Sequence, residues 1–308
     1  MKAAQLQKFG DPANIKVVDV DDPTPSTGQI LIQVQASSIN PIDEITVMGG
    51  IPSIELPATM GSDVTGTVVQ VGDGVSGFNV GDNVYGRSDV LQGGSGAYAD
   101  LAAADANLFG LAPSNISSEE AASLPIVGIS AVQALVDLIK LKSGQKIFIV
   151  GGSGGIGSLA IQLAKHLGAY VAATASSSNM DAVKQLGADE VYDYKTTDIA
   201  NKLSDYDAIL DTSNGENFKE LLKVLKKGGV AVSMKGKADE VTAKQLEITT
   251  FNVSTDVNTG SLAKLTELIE AGAIKPQIAK TYSLDQVTEA FQTKQAGHTP
   301  GKIVISIN

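Results

Sequence analysis

The 308-residue sequence predicts an α/β fold in two parts, a β-rich domain and a doubly wound parallel sheet. Three observations predict it. Residues 1 to about 115 carry short alternating runs punctuated by turn signals. From about residue 117 the hydrophobic period lengthens to that of helices. A strand, a helix and a second strand then follow within about 30 residues, the βαβ unit of a parallel sheet.

In the first part, Ile30, Ile32 and Val34 alternate with Leu31, Gln33 and Gln35, and Val64–Val71 is β-branched. Asp22-Pro23-Thr24-Pro25, Gly72-Asp73-Gly74 and Gly81-Asp82-Asn83 mark turns, so a small barrel or sandwich is expected. Ser117-Ser-Glu-Glu120 has the spacing of a capping box. Lys146–Val150 reads as a buried strand, and Gly155–Leu167 as a helix with Ile156, Leu159, Ala160, Leu163 and Leu167 on one face. Strands follow at 169–174, 190–192, 206–210 and 230–233, with helices near 179–186 and at 216–226. The tail predicts an amphipathic helix around Leu262, Leu265, Leu268 and Ile269, another opened by Ser283-Leu-Asp-Gln286, and a last strand over Gly301–Ile307.

Hydrophobic residues make up 43% and charged residues 19%, a balance that buries a core and excludes wholesale disorder. A net charge of −11 argues against a basic surface for nucleic acid or anionic membrane. With no Cys there is no disulfide, thiolate nucleophile or Cys-ligated metal. The two histidines, His166 and His298, stand 132 positions apart, so metal catalysis is not expected. His166 is expected to be solvent-exposed and His298 to order a loop. The N-terminus lacks an apolar secretory stretch, and the longest charge-free apolar run, Ala121–Val136, falls short of the ~20 residues that cross a bilayer. A cytoplasmic protein with no membrane partner is the expectation.

Gly151-Gly-Ser-Gly-Gly-Ile-Gly157 contains G-x-G-x-x-G at Gly152, Gly154 and Gly157, between a predicted strand and a predicted helix. In that context the first glycine allows a tight turn, the second lets the backbone approach a pyrophosphate, and the third permits close helix–strand packing. The helix N-terminus adds amide donors and the positive end of its dipole. Gly152, Ser153, Gly154, Gly155, Ile156 and Gly157 are therefore candidate cofactor contacts. The same letters match G-x-S-x-G, the nucleophile elbow of a hydrolase with Ser153 as nucleophile and His298 downstream, and that reading is the alternative. An NAD site usually places an acid about 20 residues past the glycines. Here Ser176-Ser-Ser178-Asn179 stands in that place, with no acid until Asp181, which favours NADPH over NADH.

Several further motifs occur in order along the chain: Ala36–Asp43, Gly61–Gly66, Gly77–Gly86, Gly93–Ala99, Leu124–Gly128, Leu186–Asp189 and Gly297–Lys302. Together with the glycine loop they make the sequence resemble the medium-chain dehydrogenase/reductase superfamily, in its zinc-independent quinone-oxidoreductase branch. The resemblance runs nearly end to end. It implies a GroES-like catalytic domain at 1–120 and 268–308, and a Rossmann domain at 121–267. A cleft between them would hold the nicotinamide.

It also implies an NADPH-dependent oxidoreductase delivering hydride to a quinone or an α,β-unsaturated carbonyl, with Asn40 and Ser130 as donors to the acceptor oxygen. The cofactor side would include Ser176, Ser177, Asn179, Tyr194, Thr212, Met234 and Gly236. Ile45, Met48, Ile51, Tyr98 and Val127 would wall the substrate pocket. Zinc members of the superfamily carry a Cys ligand where Asn40 stands and a His-Glu pair where Ser62-Asp63 stand, so no zinc is expected. Asp43 is expected to cap the following helix. Ile45 and Ile51 stand where members of the branch commonly carry tyrosines, Asn179 where a Lys is common, and Pro300 where an Arg is common. Residues 248–253 are expected to form an edge strand that pairs across a homodimer two-fold. A nucleotide-binding protein without turnover remains a second alternative to the enzyme.

Overall fold

The computed structural model describes residues 1–213, 218–236, 240–297 and 299–307. The chain forms two units, Met1–Ile126 with Val257–Ala271 and Pro276–Asn308, and Val127–Asp256 with Gly272–Lys275. The return to the first unit thus begins at Val257 rather than at 268. Helix Thr259–Glu270 sets that point because it packs on the first unit: the Tyr85 hydroxyl donates to the Leu262 carbonyl at 2.8 Å and lies 3.0 Å from the Thr266 hydroxyl.

Eight strands precede the second unit: β1 (Lys2–Leu6), β2 (Ile15–Asp19), β3 (Gln29–Ser38), β4 (Ala58–Thr59), β5 (Asp63–Val71), β6 (Asn83–Arg87), β7 (Leu101–Asp105) and β8 (Phe109–Leu111). The second unit holds β9 (Lys146–Val150), β10 (Tyr170–Ala175), β11 (Glu190–Asp193), β12 (Tyr206–Asp211), β13 (Leu225–Ser233) and β14 (Thr249–Asn252). The first unit is completed by β15 (Ile278–Ser283) and β16 (Lys302–Ser306).

In the first unit, among the described residues, one sheet runs β15-β16-β3-β5-β6-β8 with β7 also on β3, and a smaller one runs β2-β1-β4. Alternation in β3 sends Ile30, Ile32 and Val34 into a core with Leu6, Val64, Val68, Phe109 and Ile305, while Gln33 and Gln35 face out. Each such aliphatic side chain contributes about 1.5–3 kcal/mol on burial. The strand β16 contributes Ile303 and Ile305 to this core and lies antiparallel against the end of β3, pairing Ile305 with Ser37.

Among its described residues the second unit has a single sheet in the order β11-β10-β9-β12-β13-β14, all pairings parallel. Numbered along the chain this is 3-2-1-4-5-6, the doubly wound order. β9 lies at the centre, with Ile147, Phe148 and Ile149 fully enclosed, which explains its uninterrupted apolar run. Helix Gly155–His166 buries Leu159, Ile161 and Leu163 and leaves His166 exposed. Among the described residues β14 is an edge strand, bonded to β13 alone.

The expected helix over 216–226 is shorter. Its described part spans Phe218–Leu221, a tight 3-10 turn covers Leu222–Val224, and β13 already starts at Leu225, opposite Tyr206. Sheet pairing wins over local helical spacing there. His298 lies outside the described residues.

Candidate functional site

At the end of β9 the chain reverses at Gly151, whose φ of 82° lies in the left-handed region that favours glycine. A Cβ at that position would stand 2.6 Å from Thr212 Oγ1. Gly152 has no such φ. Its crowding is by side chains, with Ile161, Ala173 and Val183 at 3.0–3.2 Å from an added Cβ. The tight-turn role expected of Gly152 thus belongs to Gly151, and Gly152 is a packing glycine. Gly157 matches its expected role, since a Cβ there would stand 2.2 Å from the Gly151 carbonyl oxygen.

The turn is tied to both neighbouring strands. Gly151 and Gly152 donate their backbone N–H groups to Thr174 Oγ1 (3.0 Å) and Thr174 O (2.8 Å), and Thr212 Oγ1 donates to Val150 O at 2.7 Å. Gly154 caps the helix in an extended conformation, so Gly155, Ile156 and Gly157 form the first turn, where an α-helix has no internal acceptor for its N–H groups. Amides and dipole converge on one point at the carboxyl edge of the sheet.

Beside this turn lies a cavity of 680 Å³ whose walls include Val150, Gly151, Thr174, Tyr194 and Ser213. Tyr194 is the one lining residue the resemblance named for the cofactor side; Thr174, Thr197, Asn201, Phe218 and Leu221, which sequence reasoning did not name, also line it. The signal available was positional: ligands of doubly wound sheets sit outside the carboxyl ends of the strands. Ser176 and Asn179 are mostly enclosed, Ser177 is exposed, and Asn179 Nδ2 reaches Ser153 Oγ at 3.5 Å. Met234 follows β13 and donates its N–H to Asp211 O, with Gly236 the last described residue of that loop. Asp211 itself is fully buried. One carboxylate oxygen accepts from Ser213 N and Oγ (2.8 and 2.6 Å), and among the described residues the other has no partner. Ser130 lies in the second unit, 1% exposed, with its hydroxyl 2.6 Å from that of Thr255. Val127 is buried in the same helix, Pro125–Val132.

In the first unit a polar cluster is enclosed where β3 runs into helix Pro41–Val47. Asn40 is fully buried; its Nδ2 donates to Asp63 Oδ2 (2.7 Å) and faces Ser62 Oγ (3.3 Å), and its Oδ1 accepts from the Lys302 ammonium (2.6 Å). Lys302, itself 6% exposed, donates also to Ile39 O at 2.8 Å and lies 3.7 Å from Asp63 Oδ2. Asn40, expected to offer a donor to an acceptor oxygen, instead has its whole carboxamide committed within this cluster.

Asp43 does cap the helix, accepting from Asn40 N at 2.7 Å. Burial, with the Asp63 carboxylate as a lesser cause, raises the Asp43 carboxyl to about 7. Burial likewise lowers the Lys302 ammonium to about 8 against the opposing pull of Asp63 and Asp43, and raises the Asp63 carboxyl. Tyr98, expected as a pocket wall, is a core residue: it is fully enclosed, packs edge-on against Phe291 at 6.2 Å, and its phenol is raised well above the usual range by burial. Ile45 and Met48 are exposed at 46% and 58%, and Ile51 is half-buried.

The family model described as "Alcohol dehydrogenase GroES-like domain" matches residues 26–114, and that described as "Zinc-binding dehydrogenase" matches 186–305. The chain is 35% identical to a 2-methylene-furan-3-one reductase of Solanum lycopersicum, over 99% of this chain and 79% of that protein. It is 33% identical to the NADPH-dependent alkenal/one oxidoreductase, chloroplastic, of Arabidopsis thaliana, again over 99% and 79%.

The chain belongs to the zinc-independent branch of the medium-chain dehydrogenase/reductase superfamily.

The fold agrees: the quinone oxidoreductase from Coxiella burnetii superposes with a TM-score of 0.92 at 31% identity, covering 100% of this chain and 99% of that one. Members of this superfamily are oxidoreductases, and so is this chain. Zinc, named by one of the two family descriptions, does not fit the residues present. Where the zinc members carry Cys, His and Glu, this chain has an amide, a hydroxyl and one carboxylate, and the Lys302 ammonium already provides the positive charge there. Among the described residues no group of three or more His, Cys, Asp or Glu side chains is placed to hold a metal. No helix among them is long and apolar enough to cross a membrane.

Proposed function

We propose that the chain is an NADPH-dependent oxidoreductase that works without zinc and reduces a quinone or an α,β-unsaturated carbonyl. The observation that carries this reading is the turn Gly151–Gly157, with its first-turn amides, at the carboxyl end of the central strand of a 3-2-1-4-5-6 sheet and beside the 680 Å³ cavity. The names of the relatives, an alkenal/one oxidoreductase dependent on NADPH and a quinone oxidoreductase, support the choice of cofactor and acceptor.

NADPH would supply the hydride. The amides of Gly155, Ile156 and Gly157 would hold its diphosphate against the helix dipole. Tyr194, half exposed on the cavity wall, would stand on the ribose side. Negative charge develops on the acceptor oxygen, and the Ser130–Thr255 hydroxyl pair, 2.6 Å apart, is the group we assign to meet it. Losing such a donor costs roughly a hundredfold to a thousandfold in turnover. The proton comes from solvent. We also propose a homodimer that continues the sheet through edge strand β14, tested by sedimentation.

The test is spectrophotometric: oxidation of NADPH and of NADH, with EDTA present, across benzoquinones, naphthoquinones and enones, for the natural chain and Ser130→Ala. Turnover that survives EDTA and falls at least tenfold in S130A supports the reading. Calorimetry showing that neither nucleotide binds overturns it.

A further inference from the structure

The strands beside the glycine loop carry an acid that spacing along the chain conceals. β10 ends at Ala175, and the serine run Ser176–Ser178 follows with no acid or cation of its own. The next strand, β11, lies parallel to β10 with Asp193 in register with Ala175, so its last residue reaches the same edge of the sheet. There Ser177 Oγ donates to Asp193 Oδ2 at 2.5 Å, and Lys195 N donates to Asp193 Oδ1 at 2.9 Å. Those two donors hold the carboxyl below its ordinary range, so it is ionised at neutral pH. The cation nearest along the chain, Lys195, turns its ammonium over the Tyr194 ring at 5.8 Å from the centroid.

Resting on the dinucleotide reading above, we propose that Asp193 limits the selection of NADPH over NADH. The loop after the second strand of such a sheet is where the ribose 2′-substituent is received. A 2′-phosphate needs hydrogen-bond donors and cations. In this loop the Ser177 proton is already given to a carboxylate, and that carboxylate repels a dianion. A 2′-hydroxyl meets the opposite situation, since it can donate to Asp193. The acid that NAD-binding sheets place on their second strand is here supplied from the third.

The experiment measures kcat/KM for NADPH and NADH, and calorimetric binding of 2′,5′-ADP and 5′-AMP, in the natural chain and in Asp193→Asn, Asp193→Ser and Asp193→Glu. Removing a like charge a few ångströms from a phosphate is expected to raise the NADPH/NADH ratio about tenfold or more through the KM for NADPH. The 2′,5′-ADP affinity should rise in parallel. D193E keeps the charge and should keep the natural ratio, which a purely structural role for the side chain would not produce. An unmoved ratio in both neutral variants, or an equal shift in D193E, overturns the proposal while leaving the dinucleotide site standing. Failure of every nucleotide to bind the natural chain removes both.

Discussion

Replacing Gly157 by alanine separates packing from ligand approach in the glycine loop. The added Cβ would lie 2.2 Å from the Gly151 carbonyl oxygen and 2.9 Å from both Gly151 C and Gly152 Cα. All three are backbone atoms, so relief requires the helix to move off the turn that β9 and Thr174 hold in place. Overpacking of this kind costs about 1–3 kcal/mol. At about 2–4 °C per kcal/mol for a domain of this size, melting should fall by about 2–12 °C. Gly154 is the contrast. A Cβ there meets only the Gly151 oxygen at 3.5 Å, an ordinary contact, and φ is −76°. At the N-cap, where Gly is preferred to Ala, Gly154→Ala costs about 1 kcal/mol or less, and in the proposed dinucleotide site its methyl stands where the backbone would approach the diphosphate. Differential scanning calorimetry and NADPH titration read the two effects apart. G157A should lose stability, and G154A should lose affinity at near-natural stability. A G157A protein that melts like the natural one refutes the packing argument, and a G154A protein that binds NADPH unchanged refutes the approach argument.

The buried cluster around Asn40 yields two further predictions. Lys302→Met leaves Asp63 enclosed without its cation and should cost about 3–5 kcal/mol in urea unfolding; adding Asp63→Asn should restore part of the loss, so the double variant falls short of the summed single effects. The second concerns pH. Asp43 titrates near 7 in the folded chain against 3.8 for the free carboxyl. A raised folded value means that its contribution is present in acid and lost as pH rises through about 7. The unfolding midpoint should accordingly drop more between pH 5 and pH 7.5 in the natural chain than in Asp43→Asn, and parallel slopes in the two would disprove the assignment.

How much of this was legible beforehand depends on how far apart in sequence the deciding partners lie. The strand Lys146–Val150 and the helix after it were readable because an apolar run and a 3.6-residue period are local signals. So was the Ser117–Glu120 capping box, which forms in both directions. Phe218, Leu221, Leu222 and Leu225 also fit a helical face, and there the local signal misled. Leu225 pairs with Tyr206 in the sheet, and pairing with β12 is worth more than another helical turn. The resemblance implies Asn40 as a donor to the acceptor oxygen, and nothing near it in the sequence announces Lys302, 262 residues away. Asp193 escaped for the same reason. The rule of an acid about 20 residues beyond the glycines looks along the chain, whereas strand register brings one in from the side.

The two motifs overlapping at Gly151–Gly157 show what decides between readings that share their letters. A nucleophile elbow places its serine on the strained residue of the turn, with a base at hand. In this turn the left-handed conformation falls on Gly151, and Ser153 is not among the described residues with positive φ, which besides glycines are Lys140, Asp205 and Glu247. The side-chain nitrogen bonded to its hydroxyl is the amide of Asn179, a neutral group without basicity, at 3.5 Å. His166 lies exposed near the far end of the helix, and His298, the expected base, lies outside the described residues. The strain is therefore spent on bringing backbone, not a side chain, to the edge of the sheet. Gly157 presses the helix against Gly151 at a separation no side chain tolerates, and the first turn of that helix carries N–H groups with no intrahelical acceptor. Such N–H groups suit an anion and offer no nucleophile, which favours the proposed dinucleotide site over a hydrolase elbow.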